Sequence, residues 1–149
     1  MKEKIVYIDV FRLLYRYKIR YLVVGGFAVV LYGWTRFTKD LDLMIDLKDK
    51  KNVAKFINVM KSLNYKPLVP VKIDDMIDEE KRKMWVKEKN AVILNLGDLK
   101  DPFKRIDVFL DNPVDFDKVF ERKTIIRFGK IEIYLASIDD IIYMKKKVG

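Results

Sequence analysis

The chain has 149 residues, half of them hydrophobic, and carries 31 Lys and Arg against 22 Asp and Glu for a net charge of +9; this length suits one domain, residues 1–149, with a real core. Cys and His are both absent, which excludes thiolate and imidazole nucleophiles, His general bases and Cys/His zinc sites and leaves carboxylates, lysines, hydroxyls, backbone and metal ions. No stretch approaches the roughly 18 apolar residues of a membrane span, so a soluble, cytoplasmic protein with no membrane partner is expected, and the excess of positive charge suits polyanions such as nucleotides.

Residues 3–18 place Ile5, Ile8, Phe11, Leu14 and Tyr15 near helical spacing, which predicts an amphipathic first helix packed on a sheet. Tyr21–Val24 reads as a short strand halted by Gly25-Gly26, and Phe27–Tyr32 as a buried helix ending at Gly33. Leu41–Leu47 alternates in period two, and Val53–Leu63 returns to helical spacing. Pro67 and Pro70 reduce residues 65–71 to an edge strand or extended loop. Residues 74–89 are densely charged and read as an exposed helix or connection anchored by Met84 and Trp85. Residues 91–96 and 106–110 predict a hairpin with a longer loop, and 125–128 with 131–134 a second hairpin around Gly129-Lys130. Ser137 to Asp140 resembles a capping box, with Asp in place of Glu or Gln, and opens a last helix over 138–147. The pattern is α/β (α+β), a mixed sheet flanked by helices.

The chemistry concentrates between residues 21 and 46. Along a strand, side chains alternate faces, so Asp40, Asp42, Met44 and Asp46 share one side while Leu41, Leu43 and Ile45 face a core. Carboxylates about 7 Å apart on one face repel and resist desolvation unless a cation sits between them. Mg²⁺ meets that need, and a pair of such ions clamps an in-line phosphoryl displacement. The glycines add a turn whose backbone can approach a phosphate. Gly-Gly alone is more often a tight turn, and Asp-Leu-Asp alone a solvated edge strand. Strand, Gly-Gly, helix and then acid-x-acid on a neighbouring strand is a more specific combination.

That combination, Gly-Gly followed after thirteen residues by Asp-apolar-Asp in GGFAVVLYGWTRFTKDLDLMI, resembles the signature of the DNA polymerase beta-like nucleotidyltransferases. It is most similar to the small stand-alone bacterial and archaeal group, which includes those of toxin-antitoxin and abortive-infection systems. The resemblance implies a nucleotidyltransferase fold and a two-metal Mg²⁺ site. Asp40 and Asp42 would be metal ligands, Gly25 and Gly26 would hold the triphosphate, and Asp107, bracketed by Ile106 and Val108, would be the third carboxylate. It also brings in Thr38 at the turn, Arg36 and Lys39 toward phosphate, and Lys145 on the last helix near the nucleotide. Asp46 reads as a rim or structural acid. The implied reaction transfers a nucleoside monophosphate from a nucleoside triphosphate such as ATP to an acceptor hydroxyl on a protein, an RNA or a small molecule, with a helical partner protein expected alongside. The chain departs from the superfamily pattern in having Gly-Gly where many members have Gly-Ser. Two alternatives stay open: a degenerate nucleotide-binding regulatory module, and a basic nucleic-acid-binding protein whose acids are structural.

Overall fold

The computed structural model describes residues 7–33 and 40–148. In chain order the elements are α1 (Ile8–Arg16), β1 (Tyr21–Val24), α2 (Gly25–Leu31), β2 (Leu41–Ile45), α3 (Lys50–Ser62), β3 (Lys66–Pro67), a 3-10 turn (Ile73–Ile77), α4 (Glu79–Lys89), β4 (Ile93–Asp98), β5 (Asp101–Phe109), α5 (Phe116–Glu121), β6 (Thr124–Phe128), β7 (Ile131–Leu135) and α6 (Ile138–Val148). Seven strands form one mixed sheet in the order β3-β4-β5-β2-β1-β7-β6. The central strand β2 runs antiparallel to β1 and parallel to β5.

Alternation along β1 and β2 sorts their side chains into two apolar layers. Tyr21, Val23, Leu41, Leu43 and Ile45 join Val10, Phe11 and Leu14 of α1 and Val53, Phe56 and Met60 of α3 in the larger core. Leu22, Val24 and Met44 turn the other way, onto Phe116 and Val119 of α5 and Met144 of α6. Asp42, the acid of β2, alternates onto this second face with Met44. Helix starts are fixed by side-chain caps that satisfy otherwise unpaired amides: Asp49 for α3, Asp78 for α4 and Asp115 for α5.

Three local expectations change. Met84 is 44% exposed and anchors nothing, whereas Trp85 does enter the core, joined by Met76 from the 3-10 turn. The predicted long loop between the first hairpin's strands is instead strand nearly to the tip, since Asp98 pairs with Asp101 and β5 runs on through Pro102. The α2 helix is half-buried beyond Phe27 and Ala28 rather than buried throughout. No helix among the described residues is long and apolar enough to cross a membrane.

Candidate active site

Strand register brings distant residues together. Asp42 pairs with Val24 on one side and with Asp107 on the other, and Asn95 of β4 pairs with Asp107 in turn. Residues in register point to the same face and stand one strand spacing, about 4.8 Å, apart. Asp42, Asp107 and Asn95 therefore form a row across three strands. Asn95 Nδ2 donates to Asp107 Oδ1 at 2.7 Å, and Arg105, two residues back on the same face, brings Nε to 4.0 Å from that oxygen. Arg105 Nε is buried without a hydrogen-bond partner, so the guanidinium acts on Asp107 by charge rather than by a bond.

Gly25 closes the row at its β1 end. Its φ is +69°, in the left-handed region, and a Cβ placed there would run into Asp42 Oδ2 with Asp42 Cγ 3.1 Å away. Only glycine fits that backbone and that approach without displacing the carboxylate. The first glycine of the pair thus has a defined reason in the structure. It seats the Asp42 carboxylate against the start of α2.

Electrostatics mark the same place. Burial raises the Asp107 carboxyl above its ordinary value, Asn95 opposes this by hydrogen bonding, the charge of Asp40 adds to the rise, and Arg105 lowers it. Tyr7 is also raised, first by burial and further by the charges of Asp40, Asp107 and Asp101. Its hydroxyl lies 2.9 Å from Arg105 O and 3.1 Å from Phe103 O, and it accepts from Arg105 N at 3.2 Å. Because β2 begins at Leu41, opposite Ile106, the phenol takes over where the β2–β5 ladder stops.

Of the residues singled out in the sequence, the structure thus brings Gly25, Asp42 and Asp107 together, with Asp40 within electrostatic reach. Among the described residues no three acids converge closely enough to form a ready-made metal cage. The donor chemistry nevertheless fits a hard cation: carboxylate oxygens on one face, with mutual repulsion that a cation would relieve. Arg36, Thr38 and Lys39 lie outside the described residues. Lys145 is exposed on α6. Asp46 is a structural acid, 8% exposed, with Arg20 Nε at 3.3 Å and Lys48 N donating to it at 3.1 Å.

Sequence reasoning missed Asn95 and Tyr7. Asn95 had a signal, a lone polar residue inside the apolar run Ile93–Leu96. Tyr7 had none, because its role depends on a bond to a residue 98 positions away. A large cleft, about 680 Å³, lies beyond the opposite end of β2, where Asp46, Arg82 and Leu110 line it. Its buried Arg82 is spent on the carbonyls of Met76 and Leu47. None of Asp40, Asp42 and Asp107 lines that cleft.

Two solved structures share this arrangement of strands and helices. The lincosamide antibiotic adenylyltransferase LnuA, solved with lincomycin bound, superposes with a TM-score of 0.57 at 17% identity over 95% of this chain and 86% of that one. A protein from Thermotoga maritima assigned as a nucleotidyltransferase gives 0.56 at 15% identity, covering 96% and 84%. The fold is a nucleotidyltransferase fold. No protein-family model and no curated protein sequence matches the chain. At these identities the likeness speaks for the fold, and function must be argued from the site.

Proposed function

We propose that the protein is a metal-dependent nucleotidyltransferase, moving a nucleoside monophosphate from a nucleoside triphosphate to an acceptor hydroxyl and releasing pyrophosphate. The observation that carries the reading is the row Gly25–Asp42–Asp107, a left-handed glycine seated on one carboxylate and a second carboxylate in register beside it. Asp40, Asp42 and Asp107 would hold Mg²⁺, which when bound neutralises the phosphates and the charge developing in transfer. Asn95 donates to Asp107 Oδ1, and Oδ2 would be the oxygen offered to the ion. Asp107 would also take the proton of the attacking hydroxyl, the role the sequence resemblance implies for the third carboxylate. Gly25 and Gly26 would meet the triphosphate through backbone, with Thr38, Lys39 and Lys145 beside it.

Adenylyl transfer from ATP is the first reaction to test, since LnuA is an adenylyltransferase. The acceptor class, whether protein, RNA or small molecule, and a helical partner from a toxin-antitoxin setting are part of the same proposal. The test is label transfer from α-³²P triphosphates, with Mg²⁺, to co-purified macromolecules and small acceptors. Label appearing on an acceptor with loss of pyrophosphate is expected. A second reading, nucleotide binding without turnover, draws on the open arrangement of the acids. It predicts Mg²⁺-dependent nucleotide binding with no label transferred.

A further inference from the structure

On the sheet face opposite Asp42, the outer side of α1 and the β6–β7 turn enclose a groove of about 530 Å³. Arg12, Tyr15 and Arg16 come from α1, spaced to share one helix side, and Phe128 and Lys130 come from the turn. Among the described residues, three cations line the groove and no Asp or Glu does. Among the same residues none of the three cations is held in an ion pair. Glu132, the acid next along the hairpin, is engaged by Arg127 at 2.9 Å.

The exposed acid of α1, Asp9, lies outside the groove lining, so the bases in the groove stand beside rings rather than acids. Here Tyr15 is 36% and Phe128 37% exposed, so both rings are accessible beside the cations. Spaced cations for phosphates and accessible rings for bases are what a single strand of nucleic acid needs, whereas a duplex keeps its base faces stacked and out of reach.

We propose that this groove binds single-stranded nucleic acid, with Arg12, Arg16 and Lys130 on the phosphates and Tyr15 and Phe128 as stacking platforms for bases. None of these residues belongs to the acid site, so the proposal stands apart from the transferase reading. The chain's net charge of +9 adds long-range attraction for such a strand.

Fluorescence anisotropy of a fluorescein-labelled U12 RNA, titrated with the full chain across a range of salt, tests this. The triple variant Arg12→Ala, Arg16→Ala, Lys130→Ala should bind at least tenfold more weakly. The slope of log affinity against log salt should flatten by about 2, since each phosphate neutralised on a single strand contributes roughly 0.7 to it. Tyr15→Ala with Phe128→Ala should lose about tenfold or more while the slope stays. Tyr15→Leu keeps an apolar side chain on α1 should the double variant unfold, and it should still weaken binding. Unchanged affinity in the triple variant would overturn the proposal. So would aromatic variants that bind like wild type with heparin competing as well as RNA, which would make the surface a charge-only one, or groove-dependent binding of phosphatidylserine vesicles with none of U12.

Discussion

Asp107 and Asp140 are buried to nearly the same degree, with side-chain exposures of 15% and 13%, yet their carboxyls shift in opposite directions. Asp140 is held below its ordinary value by the forked Arg122 guanidinium, at 2.8 and 3.1 Å, and by the Ser137 hydroxyl at 2.8 Å, against a smaller opposing effect of burial. Asp107 has one neutral donor, a guanidinium held off at 4.0 Å and another carboxylate within reach, so burial dominates and its pKa rises. Side-chain exposure therefore does not separate a structural acid from a site acid. What separates them is whether the fold supplies the counterion, and Asp46, with Arg20 beside it, belongs with Asp140.

The most severe test of this division is Asp42→Asn. Nucleotide transfer should fall by about a thousandfold or more, because metal-borne charge stabilisation is worth several kcal/mol, while the metal-free protein should be as stable as wild type or more so. Mg²⁺ at about 100 times its dissociation constant should stabilise wild type by roughly 2.7 kcal/mol and the variant hardly at all. Urea melts with and without the ion measure both. If the variant is less stable without metal and Mg²⁺ protects the two equally, Asp42 is structural and the contrast collapses.

Next in size is Gly25→Ala, which combines a φ of +69° with a Cβ placed on the Asp42 carboxylate. We expect a loss of about 2 kcal/mol in a urea melt and weakened Mg²⁺ protection. Gly129→Ala, whose φ is +60° with nothing near its added Cβ, should lose only the backbone part, about 1 kcal/mol. Equal losses at the two glycines would show that the approach to Asp42 carries no energy. Ser137→Ala, which removes the cap hydroxyl that Asp140 N donates to at 3.1 Å, should cost about 1 kcal/mol and leave Mg²⁺ protection untouched.

The smallest effect, and the sharpest in sign, is the pH dependence. For Asp140 the folded pKa is depressed, so its contribution is stabilising above the ordinary carboxyl value of 3.8 and is lost as pH falls through the folded value. For Asp107 the folded pKa is raised, so the ionised form is disfavoured in the fold. The cost is full above the folded pKa and vanishes as pH falls below 3.8. In metal-free protein at pH 7, Asp140→Asn should then destabilise and Asp107→Asn should be neutral to stabilising by up to about 1 kcal/mol. Both differences should shrink as the pH is lowered, from opposite sides: that at Asp107 is gone below 3.8, and that at Asp140 fades as pH falls through its depressed folded value. Two differences of the same sign would contradict the assignment.

Much of the fold could be read along the chain because the signals were local. The β1–Gly-Gly–α2 unit, the alternation of β2, both hairpins and the capped start of α6 each rest on neighbours within a few residues. The six-residue α5 was not anticipated, since Asp115 to Glu121 buries only Phe116 and Val119 among its charges. The extension of β5 through Pro102 was missed because proline argues against a central strand. Yet among the described residues the β2 side of β5 is open there, beyond the start of β2, so no ladder bond is forfeited. In the site, the acid-x-acid pair and the glycines could be seen from spacing. The neighbourhood of Asp42 and Asp107 depends on the register Leu41 to Ile106, which no local pattern encodes.

The hydroxyl of Tyr7 bonds to backbone 98 residues away, and β2 meets β5 through Asp42 and Asp107, so the surroundings of Asp107 are stitched from segments far apart in the chain. Closing such large loops is entropically costly and is repaid only when the far partner has arrived. During synthesis the N-terminal helix and the glycine turn leave the ribosome long before the strands that complete them. The order of emergence thus keeps Asp42 and Asp107 apart until β5 is available. A nascent or truncated chain would expose the Gly25-Gly26 turn without the Asp107 carboxylate in place, and the row Gly25–Asp42–Asp107 would assemble only once β5 had docked.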